Sequence, residues 1–177
     1  MQEFKLLEGE QILEEIKPQP ALKKYLGISY SFWALILYAC LGWWMPVLFF
    51  KDPALVIPVM FLFLVIFLVL AFAFANLAYN KYRYWITNKR VIVKRGLLGY
   101  SITSIPYERI SDVIVSRSFL EQLCGIASLH IQSLAGQVTY GKYGSEGTLL
   151  AVPSPEDLQV KILELVKQKR KEEHLSF

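Results

Sequence analysis

The hydrophobic pattern of the chain changes abruptly at two points. Residues 25–50 and 53–80 contain no Asp, Glu, Lys or Arg, and only Lys51 and Asp52 separate them. As helices, each stretch would be about 37–40 Å long, which exceeds a hydrocarbon core about 30 Å thick. The pattern predicts a two-helix transmembrane hairpin over residues 25–79. In a soluble core, by contrast, "VMFLFLVIFLVLAFAFA" would have to be covered on every face. Pro46 and Pro58 are expected to kink or end helices near the connecting turn. Neither stretch holds an ionisable side chain that would mark an ion path or proton relay, so the hairpin reads as an anchor. Asn76 and Cys40, its most polar interior positions, are expected to serve packing.

Beyond Asn80 the pattern switches to short runs rich in β-branched and aromatic residues. Runs at 82–87, 90–96, 101–105, 111–116, 128–133 and 148–152 are separated by Gly, Pro or Asn and predict strands. One helix is expected to close the chain. Ser154 is placed to cap it and Pro155 suits its first position. Glu156 and Asp157 favour its positive end, and Lys167, Lys169, Arg170 and Lys171 its negative end. Leu158, Ile162, Leu165 and Val166 share one face, which would cover an opening in a bent sheet. The predicted fold is therefore a membrane α-helical hairpin plus a mainly-β partial barrel over residues 80–177, capped by a C-terminal α-helix. Ahead of the hairpin, residues 1–24 form a separate segment. Its Leu6, Leu7, Ile12, Leu13 and Ile16 lie among five acids, as expected of a short strand or helix docked on a basic domain. Pro18 and Pro20 would break it before the first span.

Composition supports lipid rather than an ordinary soluble domain, with 54% hydrophobic, 14% aromatic and 19% charged residues among 177. A cleaved leader is the competing reading. The leading segment is too acidic for a signal n-region, the apolar stretch is longer than an h-region, and "LYAC" places a bulky Tyr38 in its would-be cleavage box, so retention is expected. Lys23 and Lys24 precede the first stretch, and Lys81, Arg83, Lys89, Arg90, Lys94 and Arg95 follow the second. The positive-inside rule then puts the chain in the cytoplasmic membrane as a multi-pass protein with both termini cytoplasmic. Trp43 and Trp44 would sit toward the outer interface, and Tyr79, Tyr82, Tyr84 and Trp85 at the inner one.

The segment "YWITNKRVIVKRGLLGYSITSIPYERISDVIVSRSFLEQLCGIASLHIQS", closed by "LLAVPSPEDLQVKI", resembles the prokaryotic pleckstrin-homology (PH) domains of the second bacterial type. Thr87, Arg90 and Gly96 of the first hairpin, "IPYERISDV", "SFLEQLCGIASLHI" and "VPSPEDL" carry the likeness, over roughly residues 82–166. The resemblance implies a PH-like domain following a pair of spans. It also implies a binding or scaffold module rather than an enzyme.

Residues 80–177 hold fourteen bases and nine acids, and six of those bases fall in residues 80–95, which hold no acid. If Asn88 and Lys89 form the turn, Arg83 falls opposite Lys94, a like-charge pairing that a negative surface would relieve. Lys81, Arg83, Lys94 and Arg95 are thus candidate membrane-surface residues, each contributing about 1 kcal/mol near anionic headgroups. The alternative is that these bases only set topology. Lys89 and Arg90 lie about 20 Å from the strand start and depart from the inositol-binding pattern, so specific phosphoinositide recognition is not expected. "GQVTYGKY" has the glycines and lysine of a phosphate loop, but Tyr143 replaces the Ser or Thr that would hold magnesium, and "GSEG" follows where a helix should start. It reads as a glycine-rich loop, with Tyr140, Lys142 and Tyr143 as candidate partner contacts.

No catalytic residue, cofactor or metal site is expected. His130 and His174 have no ligand partners at useful spacing, and Cys40 and Cys124 are expected to stay unpaired. Ser101, Ser116 and Ser133 lack an elbow context, while Glu108 with Arg109 and Asp112 with Arg117 read as surface ion pairs. Nucleic-acid binding lacks a recognition motif. Two functions remain. One is a membrane-anchored module that recruits a protein, a peptide or an acidic lipid surface. The other is an accessory subunit of a larger membrane enzyme or transport complex. Homo-oligomerisation stays open under both.

Overall fold

A computed structural model describes residues 4–42, 53–133 and 147–175. The chain forms two units, one made of Met1–Leu22 with Lys81–Phe177 and the other of Lys23–Asn80.

In the first unit, strand β1 (Ile12–Ile16) comes from the N-terminal segment. It pairs antiparallel with β2 (Arg83–Thr87), setting Ile16 against Tyr84 and Glu15 against Trp85. β2 turns at Asn88 and Lys89 into β3 (Arg90–Arg95), and β3 pairs with β4 (Ser101–Pro106). These four form one antiparallel sheet in the order β1-β2-β3-β4. Arg83 lies opposite Lys94, as the Asn-Lys turn predicted. After a 3-10 turn at Tyr107–Arg109, β5 (Ile110–Ser116), β6 (Ser128–Ser133) and β7 (Gly147–Leu149) build a second antiparallel sheet. The expected strand at 148–152 stops early because Ala151 turns back with φ 52°. Val152 stays in the core, and its N–H donates to the Ala127 carbonyl at 3.2 Å.

The closing helix, Pro155–Leu175, begins at Pro155 as expected. Ser154 precedes it with φ 49°, a left-handed backbone rather than the extended one usual for a cap, and its carbonyl accepts from the Leu158 N–H at 3.1 Å. A second helix, Phe119–Cys124, was not expected. Its ends were nevertheless written in the sequence. Ser118 and Glu121 form a reciprocal capping box, and Gly125, with φ 67°, ends the helix in the left-handed region.

Between the sheets and the closing helix lies one apolar core. Tyr84, Ile86, Val91, Val93, Ile105, Tyr107, Ile110, Leu129, Ile131 and Leu149 meet Leu158, Ile162 and Val166, with Leu165 partly buried beside them. Alternate residues of β2 and β3, Tyr84, Ile86, Val91 and Val93, face this core, while Trp85 and Ile92 are buried outside it. Tyr84 and Trp85, expected at the inner membrane interface, are instead buried at 0% and 8% exposure. Tyr84 belongs to the core, where its hydroxyl donates to the Leu150 carbonyl at 3.1 Å and accepts from the Leu150 N–H at 2.9 Å.

Numbered in chain order, the helices are α1 (Leu22–Leu37), α2 (Pro53–Lys81), α3 (Phe119–Cys124) and α4 (Pro155–Leu175). In the second unit, α1 runs on as a π-helical turn, Tyr38–Gly42, and α2 passes through Pro58 without ending there. The two helices are antiparallel. The Lys23 ammonium lies 4.8 Å over the Tyr79 ring, a Cβ on Gly27 would come within 2.7 Å of the Phe72 ring, and the Tyr38 hydroxyl donates to the Met60 carbonyl at 3.0 Å. Among the described residues, one helix, Ala54–Lys81, is long and apolar enough to cross a bilayer, with an 18-residue stretch of mean hydropathy 3.2. The expected first span is helical as far as Gly42, and Trp43, Trp44 and Pro46 lie outside the described residues. Asn76 and Cys40 are exposed rather than packed.

Candidate functional site

The first sheet has two chemically different ends. At one, β1 finishes, β2 starts, and the β3–β4 turn doubles back. At the other lie the β2–β3 turn and the approach to β1.

The β2–β3 end is closed by the chain's own acids. Arg90 donates to both oxygens of Glu10, Nε to Oε1 at 2.8 Å and Nη2 to Oε2 at 2.9 Å, with the Glu10 side chain fully buried. The Thr87 hydroxyl donates to the same carboxylate at 2.8 Å and the Leu7 N–H at 2.7 Å. Burial works to raise the Glu10 pKa, but the bonds from Arg90, Leu7 and Thr87 and the charge of Arg90 outweigh it and hold it below the usual carboxylate range. Lys89 donates to the Glu8 carbonyl, and the Asn88 amide donates to the Gly9 carbonyl at 3.0 Å. Beneath them the Tyr107 hydroxyl donates to the Thr87 carbonyl at 2.7 Å, and burial, with the nearby Glu10 charge, pushes its pKa up. The turn bases Lys89 and Arg90 are thus already bound to the N-terminal segment.

The opposite end carries the four candidate membrane-surface residues. Lys81 ends α2 and is half-buried. Arg83 opens β2, 4.0 Å from the Glu15 carboxylate. Lys94 is only 6% exposed, and its ammonium lies 4.8 Å over the ring of Tyr100. Arg95 is exposed. The like-charge pairing of Arg83 with Lys94 is therefore moderated from within, by a carboxylate from β1 on one side and an aromatic face on the other. Sequence spacing could not show this, because Glu15 and Arg83 are neighbours only once β1 joins the sheet. The other candidate contacts, Tyr140, Lys142 and Tyr143, lie outside the described residues.

The second sheet gathers hydroxyls around His130. Its ring nitrogens lie 2.8 Å from the Ser116 hydroxyl and 3.1 Å from the Thr148 hydroxyl. Nearby, Glu121 is buried, accepting from the Ser118 N–H at 2.6 Å and from the Ser128 hydroxyl. Burial opposes its ionisation, but these bonds, aided by the charge of His130, lower its pKa below the ordinary value. Glu121 thus ties the α3 cap to β6. Among the described residues, no group of three or more His, Cys, Asp or Glu could hold a metal ion. Arg117 pairs with Glu156 at 3.1 Å rather than with Asp112, whose carboxylate accepts from the Val113 N–H at 2.7 Å. Phe119 and Leu123 of α3 stand 74% and 66% exposed.

A four-stranded and a three-stranded antiparallel sheet, closed by a C-terminal helix, define a PH-like domain. The chain belongs to the bacterial PH domain family, whose model matches residues 26–166. PH-like domains are typically binding modules rather than catalysts. β1 lies ahead of the matched residues, so the strand that completes the first sheet is not part of that match. No curated protein and no solved structure matches the chain.

Proposed function

We propose that the chain is a PH-like binding or scaffold module anchored by a helical hairpin at the cytoplasmic face of the membrane, where it presents its domain to an acidic lipid surface or to a protein or peptide partner. One observation carries this reading: the helix pair is packed inside out for water. Apart from Leu22 and Leu26 at the start of α1, its buried apolar positions are small, Ala71 at 4%, Ala75 at 1%, Ala78 at 0% and Ala34 at 9% exposure, while Ile57, Phe61, Val69, Phe72, Phe32 and Trp33 are each more than half exposed. A soluble helical hairpin buries its large apolar side chains. Helices in lipid pack through small ones and turn the large ones to the acyl chains.

Chain connectivity supports two crossings. Ile16 of β1 pairs with Tyr84 of β2, so the segment between them leaves and rejoins one sheet. Whatever crosses the bilayer within it must cross an even number of times. If α2 spans, the chain before it must span as well. The bases flanking the segment place both termini in the cytoplasm. Single cysteines at positions 2, 48 and 176, in a background lacking Cys40 and Cys124, test this in intact cells. Only position 48 should react with a membrane-impermeant maleimide before permeabilisation; labelling at 2 or 176 would overturn the topology.

A second reading, an accessory subunit of a larger membrane complex, is favoured by the exposed Phe119 and Leu123 on α3. Purification in mild detergent separates the two. A stoichiometric membrane partner supports the subunit, and a monodisperse chain that binds anionic vesicles supports the module.

A further inference from the structure

The β3–β4 turn, "GLLGY", places its largest apolar side chains in the open. Leu98 is 79% exposed and Tyr100 61%, in a unit whose other strand residues of that kind are mostly buried. The turn itself is tightly built. A Cβ on Gly96 would lie 2.1 Å from the Gly99 carbonyl oxygen, so only glycine fits there. The Ser101 hydroxyl donates to the Arg95 carbonyl at 3.4 Å, and the Tyr100 ring lies against the Lys94 ammonium.

Register fixes where this turn points within the sheet. Arg83, the first residue of β2, pairs with Lys94, which pairs in turn with Ile102, while Arg95 pairs with Ser101. The turn therefore projects from the end of the sheet at which β1 finishes and β2 begins. This is the end from which the chain departs into residues 23–80 and to which it returns. Glu108, in the 3-10 turn beyond β4, belongs to the opposite end, where the Tyr107 N–H donates to the Lys89 carbonyl at 3.3 Å.

We propose that Leu98 and Tyr100 dip into the headgroup region of the bilayer that the helices cross, with Arg95 on anionic headgroups. The occupant is lipid because the exposed apolar tip, an exposed base and both junctions with the apolar segment share one sheet end. An apolar tip ringed by basic and aromatic groups suits the boundary between acyl chains and phosphates. The proposal rests on the membrane-anchored reading above, and it makes the turn a third point of attachment that holds the domain in one orientation.

The test uses the full chain, without native cysteines, in nanodiscs of phosphatidylcholine and phosphatidylglycerol. A polarity-sensitive fluorophore is attached in turn at Leu98→Cys, at Ile66→Cys within α2 and at Glu108→Cys. Position 98 should be quenched by a nitroxide near the lipid headgroup and show an iodide quenching constant several-fold below that of position 108. Position 66 should be quenched by a deep nitroxide. If position 98 is as open to iodide as position 108 while position 66 stays in lipid, the turn proposal is wrong and the anchor stands. Iodide access at position 66 would remove the anchor, and the turn proposal with it. Protection of position 98 from iodide without lipid quenching would show protein covering the tip, which also overturns the idea.

Discussion

Eighty positions apart in the chain, Glu10 and Arg90 meet in a buried pair held by two direct hydrogen bonds. Removing one partner of such a pair strands the other, which costs about 3–5 kcal/mol, more than the intact pair contributes over an apolar substitute. Glu10→Ala is therefore expected to destabilise the first sheet by roughly that amount. Hydrogen exchange of the β2 and β3 amides, read across a urea series with the full chain in detergent, measures it, and a change below about 1 kcal/mol would reject the pair as a structural clamp. The folded-state pKa of Glu10 is depressed, so its contribution is fully present above the unfolded carboxylate value of about 4.3 and is lost as pH falls through the folded value. In Glu10→Gln that acid-side loss should shrink. At this scale the sequence was legible where local chemistry decides: the Asn88-Lys89 turn gave the register that sets Arg83 against Lys94. It misled at Tyr84 and Trp85, because aromatic residues beside a basic boundary look alike whether they line a membrane interface or close a core.

The element that reorganises the picture is β1. Its apolar and acidic residues were visible as a strand or helix docking on a basic domain, but not as the edge of the sheet, since its partner β2 lies beyond the whole apolar segment. Around it, Glu15 is 4.0 Å from Arg83 and Glu14 pairs with Lys161 of α4. The missed helix α3 is a failure of another kind. Its six residues are too few for hydrophobic periodicity, although Ser118, Glu121 and Gly125 marked both ends. Because β1 and β2 pair, residues 23–80 form a closed excursion from the domain. Replacing them with a flexible linker of roughly ten residues should leave β1–β7 and α4 folded, since shortening a loop lowers its closure entropy. Further removal of residues 1–22 should expose β2 as an edge and abolish slow exchange at its outer amides. Unchanged protection of β2 after that second deletion would show that β1 is dispensable.

For the whole molecule, the proposed membrane anchoring makes insertion and folding one problem. β1 is made first, yet its partner strand appears only after the complete apolar segment, so the first sheet can close only if both lie on the same side of the bilayer. A chain that crosses once is worse off than one that does not cross at all. Arg substitutions at Val65 and Ile66, near the middle of α2, should hinder its insertion by about 2.5–3.5 kcal/mol each. With the first apolar stretch still inserted, β1 and β2 would then be held on opposite faces. Such a variant should lose the protease-resistant domain, whereas the linker variant lacking residues 23–80 keeps it, although it carries the larger change. Limited proteolysis of permeabilised cells, probed with a C-terminal tag, compares the two directly. A resistant domain of wild-type abundance in the doubly substituted protein would mean that the sheet does not depend on paired crossings, and that the apolar segment is not threaded through the membrane between β1 and β2.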